Sequence, residues 1–139
     1  MAGVFTKHNG AGYADALICE AEGLDSLRAA LRDAGVFCIR VPEVRSVGET
    51  EMEIEAIDSG AATTATFQML GDGLAQMHKS PKLQYGWGGD NYIGLSPQPN
   101  RWSATWVYHY LNHYNLFGSG YLEGCRRGFL MVKQVAGHL

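Results

Sequence analysis

The sequence predicts an α+β fold, and three observations carry that expectation. A β-like run close to the first residue is followed by a long stretch of good helix formers, Ala14 to Ala34. A β-branched run at Val44–Val47 and a period-two stretch, Met52-Glu53-Ile54-Glu55-Ala56-Ile57, make the two arms of a hairpin. From Thr64 onward the apolar spacing becomes helical. A small antiparallel sheet with one helix beside it, leading into a helical part, accounts for that order.

Taken in sequence, Gly3-Val4-Phe5-Thr6-Lys7 is a strand, closed by the turn-forming His8-Asn9-Gly10-Ala11-Gly12. The first helix has Asp15 as its N-cap and Gly35 as its stop. Val36 to Ile39 and Val44 to Val47 are β-branched runs separated by Pro42, and the hairpin turns near Gly48-Glu49, with Asp58-Ser59-Gly60 ending its second arm. Thr64 to Lys79 sets Phe67, Leu70, Leu74 and Met77 on one helical face, stopped by Pro81. Gln84 to Asn100 is rich in glycine and aromatic residues, too apolar for a flexible linker and too broken for a regular element, which predicts a buried or docked loop. Ser103–Tyr114 and Leu122–Ala136 read as helices, the latter weakened by Gly118, Gly120, Gly124 and Gly128.

The 139 residues fit one domain, and 46% apolar with 18% charged residues is a folding composition. A net charge of −3 supplies no basic field for a phosphate backbone or anionic lipid, so neither nucleic acid nor membrane is an expected partner. Cys19, Cys38 and Cys125 are odd in number, widely spaced and contain no Cys-x-x-Cys pair, which indicates neither a disulfide framework nor a zinc site and points to reduced thiols. Met1 to Gly12 lacks the pattern of a secretory signal, and no run approaches the ~20 apolar residues of a membrane span. The expected location is cytoplasmic, with an organellar address admitted if a segment precedes Met1.

Weaker motifs fall to simpler readings. Gly10-Ala11-Gly12-Tyr13-Ala14-Asp15 half-matches a dinucleotide fingerprint but ends in Asp after a very short strand. His109 and His113 have i,i+4 spacing without the glutamate of a zinc motif, and the aromatic residues around them favour packing. Asp90, followed by Asn91 and Tyr92, reads as an Asx-type turn rather than a general base.

Glu20 is the misfit. At ~100° per residue it falls among Leu17, Leu24, Leu27 and Leu31, where an apolar residue is expected. A buried carboxylate requires a cation or donors, and Lys7 on the preceding strand is the nearest candidate. The other reading sets Glu20 at the exposed margin of the helix. A strand with lysine, a helix with inward glutamate, a hairpin and then helices is the layout of a protein-kinase-like small lobe entering a large lobe, where the lysine holds the ATP phosphates and the glutamate fixes the lysine.

Tyr85-Gly86-Trp87, then Asp90-Asn91-Tyr92-Ile93-Gly94-Leu95-Ser96-Pro97-Gln98-Pro99-Asn100 and Trp102, closely resembles the signature loop of the fructosamine (ketosamine) kinase family. Glu20-Ala21-Glu22-Gly23-Leu24, Val41-Pro42-Glu43-Val44 and Leu74-Ala75-Gln76-Met77-His78 resemble further family segments in the same order, and the similarity fades after Tyr110. The resemblance implies a partial aminoglycoside-phosphotransferase-like fold, with residues 1–60 as a small lobe and 61–139 opening the helical large lobe, family loop 85–102 included. It implies ATP and magnesium as cofactors, and as substrate a fructosamine or ribulosamine group, on a glycated protein or a small ketosamine, phosphorylated on its 3-hydroxyl. Lys7 would be the phosphate-contacting lysine, Glu20 its partner, and Glu55-Ala56-Ile57 the interlobe hinge that holds adenine. His78 matches a family histidine, read here as a packing residue.

Other family features are missing. Only Met1 to Thr6 precede Lys7, too little for the glycine-rich strand pair over the phosphates, and no Asp stands in a His-Gly-Asp or Asp-Pro context. No catalytic base and no magnesium ligand is therefore assigned. The expectation is a truncated chain, inactive alone, whose first strand is left as a sheet edge able to recruit another chain. The alternative is a non-catalytic remnant serving as a binding or structural subunit.

Overall fold

The computed structural model describes residues 3–80, 82–94 and 96–107. They fall into two compact units, one of the residues up to Lys82 together with Tyr92–Ser96, the other of Leu83–Asn91 and the residues from Pro97 on.

The first unit holds β1 (Val4–His8), α1 (Ala16–Asp33), β2 (Val44–Val47), β3 (Glu51–Glu55) and α2 (Thr64–His78). The strands form one antiparallel sheet in the order β1-β3-β2, so the second hairpin arm lies between the other two, as the small-lobe layout requires. Lys7 stands opposite Met52 and Phe5 opposite Ile54, while a register irregularity between Val44 and Ser46 bends β2. Gly48 N–H donates to Glu51 C=O at 2.9 Å and closes the hairpin at the expected turn.

The core is small. Met52 is wholly buried against Leu17 and Ala21 of α1, with Leu24, Val44 and Ile54 packed around them. The helix stripe that faces the sheet is therefore set by Leu17, Ala21 and Leu24, and Leu27, expected in the stripe, is 46% exposed. At ~100° per residue, Ala21 lies closer to the centre of that stripe, while Glu20 and Leu27 share one margin. Arg28 Nη1 donates to Pro42 C=O at 2.7 Å and ties down the chain between α1 and β2. Gly35 stops the helix as expected, with φ +68, and Val36 N–H returns to Leu31 C=O at 2.9 Å.

Two expectations change around α2. Val36 to Ile39 forms no strand, because its side chains pack against a helix instead. A Cβ added at Gly73 would lie 2.8 Å from Ile39 Cδ1 and 3.0 Å from Val36 Cγ1, so the missing side chain is what admits this segment to α2. Gln76 Nε2 adds a bond to Ala34 C=O at 2.7 Å. The docked face of α2 thus centres on buried Gly73, whereas Phe67, Leu70 and Leu74 of the expected apolar face are exposed among the described residues. Thr63 and Thr66 form a reciprocal capping box at the helix start, and the helix ends at His78, which is exposed rather than packed.

The aromatic loop is neither structureless nor buried. It contains a two-stranded ribbon, β4 (Asn91–Ile93) with β5 (Ser96–Gln98), and Tyr85, Ile93 and Trp102 are exposed. Within the second unit, Tyr85 and Ser103 exchange backbone bonds at 2.8 and 2.7 Å. Asn100 donates its N–H to Asp90 Oδ1 at 2.8 Å and its side-chain amide to Gly89 C=O and Asn91 Oδ1. Hydrogen bonds between residues about ten apart, not burial, shape this segment, and Asp90 reaches across the loop rather than only along it. The helix expected over Leu122–Ala136, most of Ser103–Tyr114, the stop at Pro81, and Cys125, His109 and His113 lie outside the described residues.

Candidate functional site

β1 turns Lys7 toward the same sheet face as buried Met52, and α1 lies against that face. The lysine stem runs along the margin of the core while its ammonium reaches the helix. Nζ lies 2.6 Å from Glu20 Oε1 and 2.5 Å from Oε2, a two-oxygen grip between strand and helix. The two side chains are 43% and 41% exposed. Both readings of Glu20 hold in part: it pairs with Lys7, and it does so at the open margin, not inside the core.

The end of β1 and the start of α1 are joined by side chains that sequence reasoning did not select. Asn9 Nδ2 donates to Tyr13 C=O and to Glu49 C=O, both at 2.7 Å, and Asn9 Oδ1 accepts Ala11 N–H at 3.0 Å. Tyr13 stacks on Tyr92, ring centroids 4.5 Å apart. Tyr92 donates its hydroxyl hydrogen to Asp15 Oδ1 at 2.5 Å. Asp15 occupies the N-cap position foreseen for it, yet its side chain makes no capping bond to the helix. The bond to the Asp15 carboxylate, with desolvation and the negative charge beside it, pushes the Tyr92 phenol up to about 12. Burial, then the charges of Asp15 and Glu22, push the Cys19 thiol up as well. Asp15 read as an ordinary cap and Tyr92 as one aromatic among many, and only their approach across 77 residues distinguishes them.

The expected hinge lies at the far end of β3. Glu55 is three residues beyond Met52, about 10 Å along the strand, so the Lys7–Glu20 pair and the hinge do not touch. Arg40 pairs with the nearly buried Glu55 carboxylate. Glu55 N–H donates to Glu43 C=O at 2.8 Å and Ala56 N–H to Gly3 C=O at 3.0 Å, while Ile57 is 45% exposed. Among the described residues no three His, Cys, Asp or Glu side chains gather as a metal site, Cys19 and Cys38 form no disulfide, and no helix is long and apolar enough to cross a membrane.

This arrangement, a strand lysine held by a helix glutamate above an antiparallel sheet, coincides with a match of residues 1–107 to the model of the fructosamine kinase family. The chain belongs to that family. A probable ketoamine kinase of Synechocystis sp. is 31% identical over 114 residues, 78% of this chain and 37% of the relative. A chloroplastic protein-ribulosamine 3-kinase of Arabidopsis thaliana is 39% identical over 79 residues, 52% of this chain and 24% of the relative. Among solved structures, a Haemophilus somnus protein assigned as a fructosamine-3-kinase superposes with a TM-score of 0.64 at 26% identity, over 80% of this chain and 37% of the other. This fructosamine kinase-family chain therefore carries part of an α+β, protein-kinase-like fold, and it spans under two-fifths of the length of these relatives.

Proposed function

We propose that this chain serves the ATP-dependent phosphorylation of fructosamine or ribulosamine groups on glycated amines, a deglycation step, and that it supplies the nucleotide-facing part of the site. Residues 1–60 act as the small lobe and those from 61 on open the helical lobe. The observation that carries the reading is the Lys7–Glu20 pair, in a chain of this family. An ammonium fixed by a carboxylate and still reachable from solvent suits a nucleotide phosphate, and the Glu55–Ile57 backbone is the place for adenine. Because Gly3 C=O already takes the Ala56 N–H, an adenine bond to that donor requires Gly3 to move.

Magnesium would supply neutralisation of the phosphate charge in such a reaction. The described residues offer no cluster of donors for it, and no aspartate of the sequence stands in the catalytic or metal-binding contexts of the family. The chain by itself then binds ATP weakly, with little response to magnesium, and transfers no phosphate, since such transfer rests on positioning and charge neutralisation. β1 is the outer strand of its sheet among the described residues, and its free edge is the place for a partner chain or a second copy. Cys19 and Cys38, which form no disulfide, suit a reducing, cytosol-like compartment.

Calorimetric titration with ATP, with and without magnesium, beside a phosphate-transfer assay on a glycated lysine, tests the reading. Weak binding that Lys7→Ala removes is expected, with no turnover. Magnesium-dependent tight binding or turnover would overturn the division of labour, and ATP binding indifferent to Lys7→Ala would overturn the site. Sedimentation at rising concentration tests the β1 edge, which a strictly monomeric chain would speak against.

A further inference from the structure

An exposed ion pair does not hold two elements in register by itself, because water competes for both charges. Packing of Leu17 and Ala21 on Met52 lays α1 against the sheet, and further contacts fix its two ends and with them where Glu20 is presented. Toward the end of the helix, that support is visible as buried Leu31 and Val36 and the Arg28 bond to Pro42. At the start, the N-cap aspartate gives its carboxylate not to the first turn of the helix but to the Tyr92 hydroxyl, and Tyr13 stacks on the same ring. Local capping is forgone for a tertiary bond.

The strand that carries Lys7 runs to the same node. β1 ends at His8, Asn9 N–H donates to Thr50 C=O at 2.8 Å, and the Asn9 amide holds both Glu49 C=O and Tyr13 C=O. Tyr13 is thus tied to the Lys7 strand through its carbonyl and to Tyr92 through its ring. Asp15, two residues on, begins the helix ladder by accepting Cys19 N–H at 2.9 Å, one residue before Glu20. We propose that Tyr92 is a positioning residue: by gripping Asp15 and Tyr13 it sets the start of α1 so that Glu20 meets Lys7. The proposal rests on the kinase-family reading only for the use to which the Lys7–Glu20 pair is put, since the positioning itself is independent of nucleotide.

Zero-length carbodiimide coupling, which joins an amine to a carboxylate only when they are in contact, reads the pair directly when the Lys7–Glu20 isopeptide is quantified by peptide mass spectrometry. Lys82 and Asp33, 3.9 Å apart near the other end of α1, supply an internal reference in the same sample. Tyr92→Phe keeps the ring and removes the bond, Asp15→Ala removes the acceptor, and Asp15→Asn keeps an oxygen that accepts the same hydrogen. Lys7–Glu20 coupling is expected to fall at least threefold in Tyr92→Phe and Asp15→Ala and to be retained in Asp15→Asn, with Lys82–Asp33 coupling unchanged throughout. Unchanged Lys7–Glu20 coupling in Tyr92→Phe would overturn the proposal. So would a parallel fall of both couplings, which would mark Tyr92 as a general stabiliser. Neither result bears on whether the family chain binds ATP, and a failed ATP titration leaves the coupling result standing.

Discussion

Lys7 Nζ meets both carboxylate oxygens of Glu20, at 2.6 and 2.5 Å, while both side chains keep about two-fifths of their surface in water. A contact this open orients more than it stabilises. Exposed pairs contribute roughly 0–1 kcal/mol. Glu20→Gln is therefore expected to shift unfolding by less than about 1 kcal/mol in a urea titration. A loss of more than about 2 kcal/mol would show that the pair belongs to the core after all.

Met52 makes the opposite prediction. It is wholly buried on the central strand, opposite Lys7 and against Leu17 and Ala21. Met52→Ala removes its transfer free energy and leaves a cavity, an expected loss of about 2–5 kcal/mol. Leu27→Ala, on the exposed margin of α1, is the matched control and should cost well under half as much. Equal losses in urea unfolding would mean that Leu27 belongs to the core, as the leucine stripe read from the sequence had it.

Strands β1, β2 and β3, α1 and its glycine stop were legible because period-two and period-3.6 patterns and a helix-ending glycine are local signals, whereas the strand order came from the kinase small-lobe layout. Lys7 and Glu20 were legible as a misfit and its nearest cation. The docked face of α2 was not, because the signal there is the absence of a side chain at Gly73, while the leucines that dominate the pattern stay exposed. The Asn9–Tyr13–Tyr92–Asp15 node was hidden for a different reason. Each member has an ordinary local role, as turn, cap or loop aromatic, and the bond that unites them spans 77 residues. The reading of Glu55–Ile57 as a hinge came from resemblance alone, and the bonds of Glu55 to Glu43 and of Ala56 to Gly3 could not be read from periodicity.

Gly86 tests the loop of the second unit. Its φ of +126 is a conformation that L side chains rarely adopt, and a Cβ there would stand 2.2 Å from Arg101 C=O, a backbone atom that cannot swing aside. Gly86→Ala is expected to break the Tyr85–Ser103 backbone exchange, speeding hydrogen exchange at those two amides at least tenfold while leaving the β3 amides unchanged. Normal protection at Tyr85 and Ser103 would show that the loop tolerates another path.

Tyr92 predicts a specific alkaline limit on stability. The folded state holds its phenol at about 12 against an ordinary 10.0, chiefly through its bond to Asp15, with desolvation and the Asp15, Cys19 and Tyr13 groups adding to it. Because the raised value favours the protonated form in the folded chain, the contribution is fully present below about pH 10 and is lost as pH rises toward 12. Wild type should lose stability over that window more steeply than Tyr92→Phe, which has no phenol to ionise. Asp15→Asn, with the acceptor oxygen kept and the charge removed, should move the Tyr92 titration toward its ordinary value. Tyrosinate absorbance near 295 nm, followed beside urea midpoints at each pH, separates these cases. A Tyr92→Phe chain that weakens along the same curve as wild type would mean that the phenol and Asp15 do not meet in solution, and the support for Glu20 would have to be sought elsewhere.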